Sequence, residues 1–354
     1  MIQIVAFPFF VAFVLTVLIT PLSLLFIKKA NLFDDPKSHK HPAILHSKPI
    51  PRGGGIPLFI GAIATSFLFI SPSPVLVSLF IAGFIALVVG ILDDKFDISP
   101  YIRFGANIVC ASIVVASGVT ISFITNPFGG ILHLDTMALA LPIAGLSLPI
   151  SVSHFLSVAW IVWVMNMLNW SKGVDGQMPG IVAISSLVIG VLSLRFFPFD
   201  QNAMVSSMLS FIIAGSALGF LIYNFYPAKV FPGYGATSVY LLLASVSILS
   251  GAKLATAILV MGIPMVDGIF TILRRLFTGH SPFWHDKKHL HHILLDLGFK
   301  QRHIALFYWI VSGVLGVLSL ALTSTGKFFA IIMLVTIVGG VLLFLHRIVR
   351  KQSL

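Results

Sequence analysis

Charge is what this sequence has least of. Of its 354 residues, 9% are charged and 58% are hydrophobic, and the mean hydropathy is +1.04. A soluble domain carries about 25% charged residues, so the composition excludes a soluble enzyme, a disordered chain and a secreted disulfide scaffold. What remains is an all-α polytopic membrane protein whose apolar surface faces lipid. Cysteine is nearly absent. Cys110 stands alone, which excludes an internal disulfide and gives no support to redox chemistry. Glutamate is missing altogether, since the 11 acidic residues are all aspartate. Nothing physical in the sequence accounts for that bias, but it lets every carboxylate be followed individually. The first apolar run has no basic segment ahead of it and is long enough to stay in a membrane, so no cleavable signal peptide is expected.

Apolar windows of about 18–22 residues mark membrane helices. Eleven are expected, near residues 4–27, 53–71, 74–92, 104–125, 148–168, 179–195, 204–225, 237–251, 254–273, 304–323 and 328–346. The connections between them alternate between two sides. Arg195, Lys253 and Lys327 fall on one side, and the other 19 of the 22 basic residues, Lys37 and Lys40 among them, fall opposite. The positive-inside rule then puts the C-terminus in the cytoplasm and the N-terminus outside, with the basic face against anionic headgroups. The net charge of +11 is therefore read as a membrane-surface feature, not as a nucleic-acid footprint. Residues 1–354 are expected to form a single integral membrane unit.

Polar groups gather on the cytoplasmic side. Asp34, Asp35, Asp93, Asp94, Asp97, Asp175, Asp286 and Asp296 lie there, Asp267 sits about two turns inside the ninth span, and only Asp135 and Asp200 face outward. His280, His285, His289, His291, His292 and His303 crowd one stretch of the same side. A channel or carrier places its polar groups near the bilayer midplane. These spans hold almost no ionisable groups, with only Asp267 and His154 approaching such a path, so surface chemistry is favoured over a carrier or flippase for an anionic lipid.

Four local patterns could hold that chemistry. Asp93-Asp94 closes the third span. Adjacent carboxylates do not both ionise freely without a cation nearby, so the pair is either a metal or general-base site, or a helix stop with a solvated acidic pair. His289-Leu290-His291-His292 follows Lys287-Lys288 and suits a pyrophosphate, a carboxylate or a transition metal; a surface histidine cluster is the plainer alternative. Between His46 and Gly55, Pro49 and Pro51 stiffen a loop. There Gly53, Gly54 and Gly55 let backbone N–H groups approach an anion, and Arg52 can pair bidentately with phosphate. The alternative is a basic juxtamembrane loop. Asn166 and Asn169 share a helix face, and the turn from Lys172 to Gly176 either presents Asp175 to a ligand or merely caps the helix.

Taken in chain order, these patterns resemble one family, the polyprenyl-phosphate N-acetylhexosamine-1-phosphate transferases (WecA/TagO/MraY-like membrane enzymes). The family pattern HxxPxPRxGG resembles His46 to Gly54, and its aspartate pair resembles Asp93-Asp94. NxxNxxDGxDG resembles Asn166 to Gly176, and NxxPAxxFxGDxGS resembles Asn224 to Thr237. A proline-and-aspartate helix with two arginines resembles Pro264, Asp267, Arg274 and Arg275. SPFxxDxxHxHH resembles Ser281 to His292, in a form closest to the WecA/TagO branch. The resemblance implies an eleven-span fold with its active site on cytoplasmic loops of the bacterial inner membrane. It implies transfer of a hexosamine 1-phosphate, N-acetylglucosamine at family level, from a UDP-sugar to undecaprenyl phosphate. UMP is released, Mg²⁺ is the cofactor, and the product starts a surface glycan such as O-antigen lipopolysaccharide, teichoic acid or another cell-wall polymer. Membrane lipids are partners, nucleic acid is not, and a homodimer is left open.

By the same resemblance, Asp93 and Asp94 orient or deprotonate the lipid phosphate or bind metal, and Asp175 lies beside the sugar-nucleotide phosphates and the metal. Asn166, Asn169 and Lys172 belong to the substrate site. Asn224 and Phe231 form the nucleoside part, with the Phe231 ring free to stack on uracil. His46, Arg52, His289, His291 and His292 contact pyrophosphate or sugar. Asp267 pairs with a polar or basic group at the helix end, or more plainly with Arg274 or Arg275.

The chain departs from the pattern at two positions. Lys172 replaces the first aspartate of NxxNxxDGxDG. Tyr234 replaces the aspartate of FxGDxGS, with Ala236-Thr237 in place of Gly-Ser. Together the replacements raise the local charge by about 3, and hard cations need oxygen ligands. Three readings follow: a transferase holding Mg²⁺ differently, a metal-poor variant in which the Lys172 ammonium takes the cation's charge role and pairs with Asp93, Asp94 or the pyrophosphate, and a catalytically degenerate member that only binds nucleotide sugar or lipid phosphate.

Overall fold

A computed structural model describes residues 2–36, 46–143, 146–249, 253–284 and 286–352. Lys37, Lys40, His285 and the end of the expected eighth span lie outside the described residues. The chain is mostly helical. Helix α1 (Ile2–Lys29) is followed by α2 (Gly55–Phe69), α3 (Pro74–Phe96), α4 (Pro100–Ala116), α5 (Val152–Trp170), α6 (Gln177–Leu194) and α7 (Gln201–Asn224). Then come α8 (Thr237–Val246), α9 (Leu254–Val260), α10 (Gly262–Phe277), α11 (Leu290–Asp296), α12 (Gln301–Ala321) and α13 (Ser324–Gln352). Among the described residues, seven helices are long and apolar enough to cross a membrane, or eight if α9 and α10, bent by 83° against each other, count as one broken span.

Among the described residues, three short antiparallel strand pairs interrupt the helices. β1 (Phe33–Asp34) pairs with β2 (Ile50–Pro51), β3 (Phe123–Thr125) with β4 (Ile131–His133), and β5 (Ala138–Ile143) with β6 (Leu146–Ser151). The last two correct the sequence expectation. The fourth helix ends at Ala116, not near 125, and the fifth begins at Val152, not near 148. The apolar run continues past both helix ends, but its backbone groups pair across strands.

The apolar side chains divide as a lipid solvent requires. Phe7, Leu18, Ile310, Val317 and Phe344 point outward, while hydroxyl residues fill the interior. Buried Thr20, Thr65, Ser66, Ser193 and Ser210 donate to carbonyls of their own helices, which satisfies their polarity without water. Small residues let backbones approach. A Cβ at Gly215 would lie 2.2 Å from the Phe9 carbonyl oxygen, so α7 seats directly on α1.

Five connections meet on one side of this bundle: α1–α2, α3–α4, α5–α6, α7–α8 and α10–α11. Residues from all five line a single cavity of about 860 Å³.

Candidate active site

The cavity floor is the C-terminal end of α3. Asp97 adopts φ 49° and returns its N–H to the Asp93 carbonyl, closing the helix; aspartate tolerates that conformation better than most residues. Pro100, pre-set for a first helical turn, then opens α4. This tight corner turns Arg103 back onto α3. Its Nη1 donates to both oxygens of Asp93, each at 3.0 Å. Asp94 is held from the other side, where its Oδ1 accepts from Arg52 Nε at 2.8 Å and from the Tyr234 N–H at 2.8 Å. Both carboxylates are buried.

Arg52 is positioned by a seam between two loops. The Phe231 N–H donates to the Pro51 carbonyl at 2.8 Å, the Gly54 N–H to the Phe231 carbonyl at 2.9 Å, and the Gly55 N–H to the Pro232 carbonyl at 2.8 Å. This corrects one expectation. The glycine N–H groups are spent on the Phe231–Pro232 segment and are not offered to an anion; the guanidinium of Arg52 is. His46 lies beside this seam, its ring edge-on to Phe231 with centroids 5.2 Å apart and its Nε2 3.6 Å from Asp34.

Lys172 enters from the α5–α6 turn. Its ammonium donates to the Gly233 carbonyl at 3.1 Å and sits 5.7 Å from the centre of the Tyr234 ring. The Arg103 guanidinium lies 5.1 Å from the same ring, and the Tyr234 hydroxyl accepts from Asn107 Nδ2 at 3.1 Å. Lys172 forms no ion pair with Asp93 or Asp94, because Arg103 and Arg52 already hold them. Burial and the charge of Arg52, opposed by Asp94, bring Lys172 down to about 7.

Asp175, from the same turn, accepts the Ala228 N–H on Oδ2 at 2.9 Å, and its own N–H donates to Gln301 at 3.2 Å. Burial pushes its carboxyl above the usual range, with the Ala228 N–H working the other way. Asn224, which the resemblance assigns to the nucleoside part, has a structural job in the ligand-free protein. Its buried amide accepts the Gly176 N–H at 3.1 Å and donates to the Val230 carbonyl at 2.9 Å, clipping two loops together. Asn166 donates to the Val162 carbonyl of its own helix and lines the cavity with Asn169 and Phe231.

The histidines form the opposite wall and are buried, which removes the surface-cluster alternative. Asp267 reaches up from α10 to accept His289 Nδ1 at 2.8 Å and the Leu290 N–H at 3.0 Å. Its plainer expected partners, Arg274 and Arg275, go elsewhere: they pair with Asp286 at 2.7 and 3.3 Å. Burial opposes ionisation of Asp286, but the bond from Arg275 and the two charges outweigh it and hold the carboxyl low. The His289 and His291 rings stack at 5.6 Å, and His292 lies 4.2 Å from His291. Burial, then His292 and His289, keep His291 well below the ordinary imidazole range, so it is neutral at pH 7.

Comparison with known proteins bears on this arrangement. Residues 76–251 match the model of glycosyl transferase family 4. The chain is 30% identical over 326 residues to the probable undecaprenyl-phosphate N-acetylglucosaminyl 1-phosphate transferase of Bacillus subtilis, covering 89% of this chain and 84% of that protein. It is 31% identical over 303 residues to the decaprenyl-phosphate N-acetylglucosaminephosphotransferase of Mycobacterium tuberculosis H37Rv (76% and 71%). With the undecaprenyl-phosphate alpha-N-acetylglucosaminyl 1-phosphate transferase of Thermotoga maritima it shares 29% over 283 residues (79% and 78%). The chain belongs to glycosyl transferase family 4.

Within this family 4 member, the cavity gathers His46, Arg52, Asp93, Asp94, Asn166, Asn169, Lys172, Asp175, Phe231, His289, His291 and His292. Asp267 stands behind His289, and Asn224 lines a small void beside Lys172 and Asp175. Sequence reasoning missed Arg103, Asn107, Asp286 and Gln301. The signal for Arg103 was the Ser99-Pro100 corner, which folds the next helical turn back onto Asp93. The Mg²⁺ implied by the resemblance needs near-octahedral oxygen ligands, and the residues present do not fit it. Asp93 is filled by Arg103. Asp94 keeps one buried oxygen, Oδ2, without a hydrogen-bond partner, and three cations stand around the pair. Among the described residues no three histidines, cysteines or acids group as a metal site.

Proposed function

We propose that this chain is a phosphoglycosyl transferase that moves N-acetylglucosamine 1-phosphate from its UDP-sugar to undecaprenyl or a similar polyprenyl phosphate and releases UMP. One observation carries the reading: Arg52, Arg103 and Lys172 face the same cavity as Asp175 and the histidine wall. Two anionic substrates must meet for this reaction, and fixed cations in a partly dry site offset their repulsion. An oxygen of the lipid phosphate attacks the phosphorus that bears the sugar. The bond from that phosphorus to the oxygen bridging it to the uridine phosphate breaks, and its electron pair leaves on UMP. The lipid phosphate is already ionised near neutral pH, so no base has to abstract a proton. That agrees with Asp93 and Asp94 being held by arginines. In this reading they orient Arg103 and Arg52 toward the phosphates. Neutral His291 and its neighbours contact pyrophosphate or sugar, and Phe231 offers its ring to uracil.

The membrane arrangement belongs to the same proposal. Seven long helices, or eight spans with the bent α9–α10 pair, support a polytopic unit, and in this reading the three shorter apolar helices complete eleven crossings of one unit spanning 1–354. The basic bias of the cavity side supports a site at the cytoplasmic face of a bacterial inner membrane, where a lipid phosphate arrives laterally at headgroup depth. The product starts a surface glycan.

The test is UMP release from UDP-N-acetylglucosamine by the purified full chain, with and without undecaprenyl phosphate. Acceptor-dependent release is expected. Binding of the UDP-sugar with no release from any UDP-hexosamine would make the chain a non-catalytic binder.

A further inference from the structure

We propose that side-chain cations stand in for a divalent ion in this site: Lys172, flanked by Arg52 and Arg103, holds the diphosphate of the sugar nucleotide without Mg²⁺. The inference rests on the transferase reading above and says how that site handles charge.

Four observations carry it. Three of the four carboxylate oxygens are committed, Asp94 Oδ2 being the exception: Arg103 takes both oxygens of Asp93, and Arg52 and the Tyr234 N–H take Oδ1 of Asp94. Next to them stands the Tyr234 ring, with Arg103 5.1 Å and Lys172 5.7 Å from its centroid. An aromatic face attracts organic cations but gives Mg²⁺ no ligand, and the phenol oxygen is engaged by Asn107. Lys172 has three N–H donors; one goes to the Gly233 carbonyl, and the ammonium lines the cavity. Finally, with Lys172 protonated three cations surround two carboxylates, so below about pH 7 the cradle keeps a positive charge with no ion added. A divalent cation would meet repulsion there, and a diphosphate would meet attraction.

Lys172 and Tyr234 therefore act together. The ring fills the space between two cations and holds both, while its backbone N–H fixes Asp94.

The experiment uses the full chain in lipid nanodiscs, freed of metal with EDTA. Calorimetry measures UDP-N-acetylglucosamine binding in EDTA and again in Mg²⁺, and electron paramagnetic resonance follows Mn²⁺ as a direct probe of metal binding. Dissociation constants within about twofold in EDTA and Mg²⁺ are expected. Lys172→Met is expected to weaken binding about tenfold or more, a loss of about 1.4 kcal/mol or more, and Lys172→Arg to stay close to native. No Mn²⁺ should bind tightly to the native protein, whereas Lys172→Asp/Tyr234→Asp should acquire a site. Nucleotide binding only with Mg²⁺, a tight Mn²⁺ site in the native protein, or native-like binding by Lys172→Met would overturn the inference. The EDTA and Mn²⁺ arms use native protein and decide even if a variant fails to fold. Absence of nucleotide binding under every condition would bring down the transferase reading and this inference with it.

Discussion

Replacing Arg103 with Met removes one end of the Arg103–Asp93 pair and leaves the other in place. Asp93 would lose both of its 3.0 Å hydrogen bonds while its side chain, 1% exposed, stays out of reach of water. Breaking a buried pair from one end costs about 3–5 kcal/mol, because a charge is left uncompensated. Loss of the Arg103–Tyr234 contact adds about 0.5–1 kcal/mol. Arg103→Met should therefore destabilise the protein by about 3.5–6 kcal/mol. The reverse change, Asp93→Asn, keeps a hydrogen-bond acceptor and leaves an arginine that is 15% exposed. It should cost less, about 1–2 kcal/mol. In the double variant the stranded carboxylate is gone, so its loss should fall below the sum of the singles by about 2 kcal/mol. The assay is unfolding of the four ligand-free proteins in one detergent. Additive losses, or an Arg103→Met protein as stable as the native one, would mean that Arg103 does not compensate a buried charge on Asp93.

Three further outcomes are expected. Asn224→Ala strands the Gly176 N–H and the Val230 carbonyl, and should lower stability by about 1–3 kcal/mol and raise the KM for the UDP-sugar, as unfolding and steady-state kinetics would show. Gly90→Ala puts a Cβ 2.3 Å from the Gly235 Cα and N. Backbone must move, at about 1–3 kcal/mol, and Tyr234 should lose its grip on Asp94, read as weaker UDP-sugar binding. The third concerns pH. Burial and Arg52 hold Lys172 at about 7 in the free protein, with Arg103, Asp93, Asp94 and Tyr234 also around it, and a bound diphosphate favours the ammonium. Affinity should be full below that value and fall as pH rises through it, and Lys172→Arg, charged throughout, should flatten the profile in calorimetric titrations.

Composition alone made the membrane class legible, because a chain with so few charges has no other solvent to fold in. The end of α3 was legible too, since Asp93, Asp94 and Asp97 stop an apolar run in an obvious place. The end of α4 was not. Residues beyond Ala116 stay apolar, and hydropathy does not separate an apolar strand from a helix; the β3–β4 and β5–β6 pairing decides it. The 83° break between α9 and α10 was hidden for a similar reason, as apolar composition runs through it unchanged. At the site, Arg52, Lys172 and the histidines were found because their motifs are contiguous. Arg103 was read only as a topology charge, because its pairing with Asp93 depends on a corner between two helices. Asn224 was singled out by the family resemblance alone, and only the geometry shows both ends of its amide occupied by neighbouring loops.

In the proposal above, this chain performs the transfer with charge supplied by its own side chains. The most direct measurement is formation of lipid-linked sugar from undecaprenyl phosphate and UDP-N-acetylglucosamine by the native full chain, once in EDTA and once in Mg²⁺. Equal product in both arms is the expected result. Product in Mg²⁺ alone would contradict the claim about charge, and no product in either arm would contradict the claim of transfer.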